Sequence, residues 1–111
     1  MTYRLIYVTC ETRDEALKIG RAAVRDRLAA CANVLGESTS IFRWEGAVQE
    51  ASETVLVLKT RADLVAELTD TIKTLHGYTC PCVVALPIDG GNDAFLDWIG
   101  AETGTPEAPK P

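Results

Sequence analysis

The run Ser40-Ile41-Phe42-Arg43-Trp44-Glu45-Gly46 constrains this chain most, because it belongs to a strand too long for the protein that carries it. Small apolar residues lead into it: Leu28-Ala29-Ala30-Cys31-Ala32-Asn33 reads as a helix end passing into a strand. The extended pattern covers about 30–35 and resumes over 39–44, with Gly36 marking a bulge or bend. Glu45-Gly46 is a hairpin turn signal, and the return strand runs over about 48–59. Its last part, Val55-Leu56-Val57-Leu58, is apolar on both faces and so belongs inside a sheet. In 111 residues, a hairpin over 39–53 overshoots the rest of any sheet it joins. Its tip exposes unpaired strand edges with Ile41, Phe42 and Trp44, a hazard that pairing between subunits removes.

The remaining elements fall around this hairpin. Residues 3–8 are β-branched and aromatic, as a central strand requires. Thr12-Arg13-Asp14-Glu15 reads as a capping box opening a helix over about 13–27. Ala16, Ile19, Gly20, Ala23, Val24 and Leu28 form its inner side, thin enough to lie close against a sheet. Arg21, Arg25 and Arg27 read as a solvated face. Thr60 is expected to cap a second helix with the stripe Leu64, Val65, Leu68, Ile72 and Leu75, ended by Gly77. A fourth strand covers 83–86, and Asn92 caps a short helix with Phe95, Leu96, Trp98 and Ile99. The order βαββαβ plus one helix predicts an α+β, ferredoxin-like domain over 1–102, two helices on one face of an antiparallel sheet. The tail 103–111, with three prolines, is expected to be disordered.

Composition excludes several classes of function. Eleven basic against sixteen acidic residues leave a net charge of −5, which argues against a nucleic-acid partner. No run of apolar residues is long enough to span a membrane. The start carries no secretion signal pattern, so the sequence predicts a cytoplasmic protein whose four cysteines are free thiols. There is one histidine, no G-x-S-x-G and no phosphate loop, so the chain does not read as an enzyme. Arg13, the single candidate for an acylphosphatase-type anion loop, sits inside the capping box.

With Glu53, Lys59-Thr60, Leu75-His76 and Tyr78, the segments 28–33 and 40–46 make the chain resemble the CutA family of divalent-cation tolerance proteins over about 4–99. The resemblance implies a homotrimer in which each hairpin extends a neighbour's sheet, and a role in the response to metal ions. It also implies weak binding of copper or a related ion, because Cys10 and His76 match positions proposed as copper ligands. The competing reading is a PII-like trimeric signalling module with a small effector between subunits. Against it stands the tight Glu45-Gly46 turn where a long flexible insertion belongs. A heavy-metal chaperone needs Cys-x-x-Cys after the first strand, and Cys10 is followed by Arg13.

Each candidate ligand carries two readings. His76 is either a helix-terminal imidazole satisfying carbonyls or a neutral ligand suited to copper and zinc. Cys10 is either a buried small hydrophobe or a thiol whose acidity a nearby helix N-terminus raises. Cys31, among small apolar residues, reads as a packed thiol. Where the family usually has His-Pro-Tyr-Glu-x-Pro-Glu, this chain has His76-Gly77-Tyr78-Thr79-Cys80-Pro81-Cys82, so two carboxylates are gone. Cys80 and Cys82 are either packing residues or a soft pair for Cu(I).

Overall fold

The computed structural model describes residues 1–105. Its elements are β1 (Tyr3–Cys10), α1 (Arg13–Arg25), β2 (Cys31–Trp44), β3 (Ala47–Arg61), a 3-10 turn (Ala62–Leu64), α2 (Val65–Leu75), β4 (Val83–Ile88) and α3 (Asp93–Glu102). The strands form one antiparallel sheet in the order β2-β3-β1-β4. That order, with two crossing helices, is the ferredoxin-like arrangement.

Alternation along the strands assigns the two faces. Ile6 and Val8 lie opposite Leu58 and Leu56. These four, with Cys10, form the main core against Ala16, Ile19 and Ala23 of α1 and Leu68 and Ile72 of α2. A methyl group on Gly20 would come within 3.2 Å of the Ala32 Cβ, so this glycine sets how closely α1 approaches the sheet. The residues between them in sequence point the other way. Tyr3, its partner Ile88, and Leu96 and Ile99 of α3 form a smaller cluster at one end of that second face.

The hairpin is as long as the sequence demands. β1 reaches along β3 only from Arg61 to Thr54, which leaves the hairpin's outer half paired on one side. The molecule measures 60 × 27 × 23 Å as a result. Glu45 and Gly46 both have positive φ (50° and 79°), as a type I′ turn requires. A register shift between Val34 and Glu37 is the bulge that Gly36 marks. Ile41, Trp44 and Val48 stand exposed.

Five local expectations are corrected. Thr60 caps nothing: β3 continues past it, and its buried hydroxyl donates to the Leu28 carbonyl at 2.6 Å. Pairing with β1 runs as far as Tyr3 opposite Arg61, and that pairing keeps the chain extended where local propensity favours a cap. α1 stops at Arg25, and Arg27 adopts φ 60° beyond it. The amides of Arg27 and Leu28 donate to Val24 and Ala23, a Schellman closure with arginine where glycine is usual. The Arg27 side chain is no solvated face either: it donates to the carbonyls of Gly104 and Ala101 at 2.7 and 2.9 Å. Gly77 does not take a left-handed conformation; α2 ends through an extended His76. Finally, Thr103 is buried and donates to the Ile99 carbonyl at 2.7 Å, so the chain is held at least to Gly104. The rest of the expected disordered tail, 106–111, lies outside the described residues.

Candidate functional site

Three elements meet where β1 ends. Cys10 is the last residue of β1, Glu15 lies in the first turn of α1, and His76 directly follows α2. Their ligand atoms all lie within 4.8 Å of one another. Glu15 is the residue that sequence reasoning assigned to a different job. Thr12 does accept the Glu15 amide at 3.1 Å, but the carboxylate does not close the capping box on Thr12. Its Oε1 accepts from the Glu11 amide at 3.3 Å, and its Oε2 from the Gly77 amide at 3.0 Å. The only signal in the sequence was its place five residues after Cys10.

Hydrogen bonding fixes the state of His76. Nε2 lies 2.8 Å from the Thr9 carbonyl, which can only accept, so Nε2 carries the proton. Nδ1 is then free to accept from the Tyr78 amide at 3.1 Å, and it faces Glu15 Oε1 at 3.7 Å. The ring is neutral and fully enclosed. His76 therefore satisfies β1 rather than the carbonyls of its own helix.

Of the two readings of Cys10, the electrostatics oppose the acidified thiol and agree with the buried residue. Burial, followed by the negative charges of Glu15 and Glu53, pushes its thiol up to about 11. The helix N-terminus does not acidify it, because desolvation and two carboxylates outweigh that field. Burial, the hydrogen bond to Glu53 and the charges of Glu53, Glu11 and Glu15 likewise push the Tyr78 phenol up to about 12. The end of β1 is thus an electronegative, partly dry place. A metal ion bound there would meet sulfur, neutral nitrogen and carboxylate oxygen, a mixed set suited to borderline divalent ions.

Cys80 and Cys82 stand apart from this cluster. Both are exposed on the segment between α2 and β4 and line an open groove on the second face of the sheet. Cys31 is half-buried, its sulfur 3.6 Å from the Lys59 ammonium.

Residues 4–102 match the family model described as CutA1 divalent ion tolerance protein. The chain belongs to this CutA family. It is 42% identical over 100 residues to the divalent-cation tolerance protein CutA of Thermus thermophilus, covering 90% of this chain and 97% of that one. It is 40% identical over 99 residues to the chloroplastic CutA protein of Arabidopsis thaliana, covering 89% of this chain. This CutA-family chain spans about half the length of its plant and human relatives, 54% and 52%. Among solved structures it superimposes on the Thermus thermophilus protein with a TM-score of 0.90, at 41% identity over 92% of this chain and 99% of that one. The periplasmic CutA of Archaeoglobus fulgidus gives 0.87 at 39% identity, covering 90% and 97%. The family assignment does not favour the PII-like alternative.

Proposed function

We propose that this CutA-family chain serves cation tolerance by binding copper or a related ion weakly at Cys10, Glu15 and His76, as a homotrimer in the cytoplasm. The observation that carries the metal reading is the convergence of three different donor types, from three elements, within 4.8 Å. Two costs keep binding weak. Removing the proton from a thiol held near 11 costs about 5 kcal/mol at neutral pH, using 1.36 kcal/mol per unit. Ligation through Nδ1 also displaces the Tyr78 amide. Cys80 and Cys82 are a second, softer pair that favours Cu(I).

The same pKa supports a binding role over catalysis. A Cys–His pair that works as nucleophile and base needs a lowered thiol pKa. Here burial and two carboxylates raise it. The trimer reading is supported by the outer half of β3, which has one free edge, and by exposed Ile41, Trp44 and Val48 beside it.

Titration of reduced protein with Cu(I), Cu(II) and Zn(II) tests the metal reading, with Cys10→Ser and Cys82→Ser compared against the unaltered chain. Loss of Cu(II) and Zn(II) binding in Cys10→Ser alone is the expected result. Unchanged binding of all three ions in both variants overturns it. Cys82→Glu, which restores the family's usual residue, separates the two thiol sites for Cu(I).

A further inference from the structure

At the start of β2 a thiol and an amine face each other across two strands. Cys31 lies directly opposite Lys59 in the register of β2 and β3. Opposed residues of an antiparallel pair share a face and hold their Cβ atoms roughly 4.5–5.5 Å apart. The long lysine chain then brings its Nζ to 3.6 Å from the Cys31 sulfur. Two neighbours fix it there. Nζ donates to Asn33 Oδ1 at 2.7 Å, and it stands 5.9 Å from the centroid of the Phe95 ring of α3.

This contact sets Cys31 apart from the other cysteines. Cys10 is buried, and burial with two carboxylates pushes its thiol up to about 11. Cys80 and Cys82 are exposed, and no lysine lines the groove beside them. Among the described residues, Cys31 is the cysteine whose sulfur touches an amine. It is half-buried and sits at the base of the hairpin, beside α3. Trp44 at the tip is thirteen residues further along β2, roughly 40 Å of strand. Both reacting groups belong to one chain and are already in contact, so the pair needs no open surface. The reagent it needs is hydrogen peroxide, only a little larger than water.

We propose that Cys31 and Lys59 form a reversible covalent bridge under peroxide, a sulfenamide that joins β2 to β3. In the first step the Cys31 sulfur attacks hydrogen peroxide. An S–O bond forms, the O–O bond breaks, and the thiol proton leaves with the departing oxygen as water. The sulfur is oxidised by two electrons to a sulfenic acid, and the peroxide is reduced. In the second step the Lys59 nitrogen, its ammonium proton given to solvent, attacks that sulfur. An S–N bond forms, the S–O bond breaks, and the hydroxyl leaves with a proton from nitrogen as a second water. One peroxide therefore suffices. A dithiol reverses the bridge by attacking the sulfur, releasing the amine and ending as its own disulfide. The bridge removes one positive charge, draws Lys59 from Asn33 and Phe95, and stops the sulfur short of the irreversible sulfinic and sulfonic acids. It uses neither Cys10 nor a metal ion.

Hydrogen peroxide treatment of the full chain, with a metal chelator present, tests the proposal. Free thiols are then capped and the tryptic peptides weighed by mass spectrometry. The expected product joins peptide 28–43 to peptide 44–61, uncut after Lys59 and two hydrogen atoms lighter than the two peptides together. Dithiothreitol should separate them. Lys59→Arg keeps the positive charge but offers a poor nucleophile, so the link should be lost. Dimedone, which traps sulfenic acid, should then label Cys31 several-fold more than in the unaltered chain. The exposed Cys80 and Cys82 report that the peroxide has acted. A free Cys31 thiol after both are oxidised overturns the proposal, as does Cys31 carried on to the sulfinic acid with Lys59 unlinked. A link one oxygen atom heavier places oxygen between the two groups and overturns the direct bond. If Lys59→Arg fails to fold, the peptide map of the unaltered chain still decides.

Discussion

The Gly77 amide donates to Glu15 Oε2 at 3.0 Å, joining the first turn of α1 to the segment that leaves α2. A Cβ at position 77 would lie 2.9 Å from that same oxygen. The CutA proteins that this chain resembles usually carry proline here, which has no amide proton to give. Glycine therefore lets Glu15 reach across and face His76. The carboxylate is the flexible end of its side chain, so it can swing away at small cost. Gly77→Ala is expected to lower the stability by only about 1 kcal/mol, the net worth of one such hydrogen bond. Its larger effect should fall on Zn(II) affinity, through displacement of Glu15. Paired thermal melts and zinc titrations check this, and equal zinc affinity in the two proteins would sink it.

Metal binding at Cys10 should strengthen with pH. The thiol must lose a proton held near 11, so below that value each unit of pH should raise affinity about tenfold, provided no other ligand titrates. Nδ1 of His76 accepts from the Tyr78 amide, so that ligand atom carries no proton for a metal to displace. Competition titrations between neutral and mildly alkaline pH give the slope directly. A flat profile would place the metal elsewhere.

Alkaline stability follows from the same group with the sign worked through. Cys10 has its thiol raised from 9.0 to about 11, so between those values the unfolded chain binds fewer protons than the folded one. The stability is fully present below pH 9 and falls as pH rises through the folded value, by about 3 kcal/mol in all. Tyr78, raised from 10.0 to about 12, extends the loss upward. Urea unfolding as a function of pH should show this decline in the unaltered chain and a shallower one in Cys10→Ser. Identical slopes would contradict the assignment.

Arg27 pays for its left-handed backbone with side-chain bonds to Gly104 and Ala101. Arg27→Ala keeps the strain and loses both bonds, so a loss of about 2 kcal/mol is expected. Arg27→Gly loses the same bonds but relieves the strain, and should be the more stable variant of the two. Denaturant midpoints measure the difference, and the reverse order would refute this account of the closure.

Trp44 offers a test of assembly. It is 49% exposed in the single chain, so on a monomer Trp44→Ala should cost little stability. In a trimer that buries it, the cost should rise to about 3–5 kcal/mol per site. Sedimentation at micromolar concentration, with melting followed on dilution, distinguishes the two. A monomeric sedimentation coefficient for the unaltered chain would end the trimer reading.

Sequence alone determined the elements whose signals are local. The alternation of the hairpin, the Glu45-Gly46 turn, the Asn92 cap and the apolar stripes of α1 and α2 each carry their periodicity in a few neighbouring residues. Those signals, in their order, were enough to reach the ferredoxin-like plan. Tertiary structure decided whatever depends on a partner distant in the chain. Thr60 is read as a cap until β1 is seen to hold it extended, and Glu15 as a capping residue until Gly77 comes within reach. Cys10 carries two readings, buried small hydrophobe or acidified thiol, until the core closes over it and brings Glu53 near. A helix end looks the same from either side in sequence. Burial and long-range charge exist only once the sheet has folded, and they set the protonation of Cys10, while the contact with the distant Thr9 carbonyl sets the tautomer of His76.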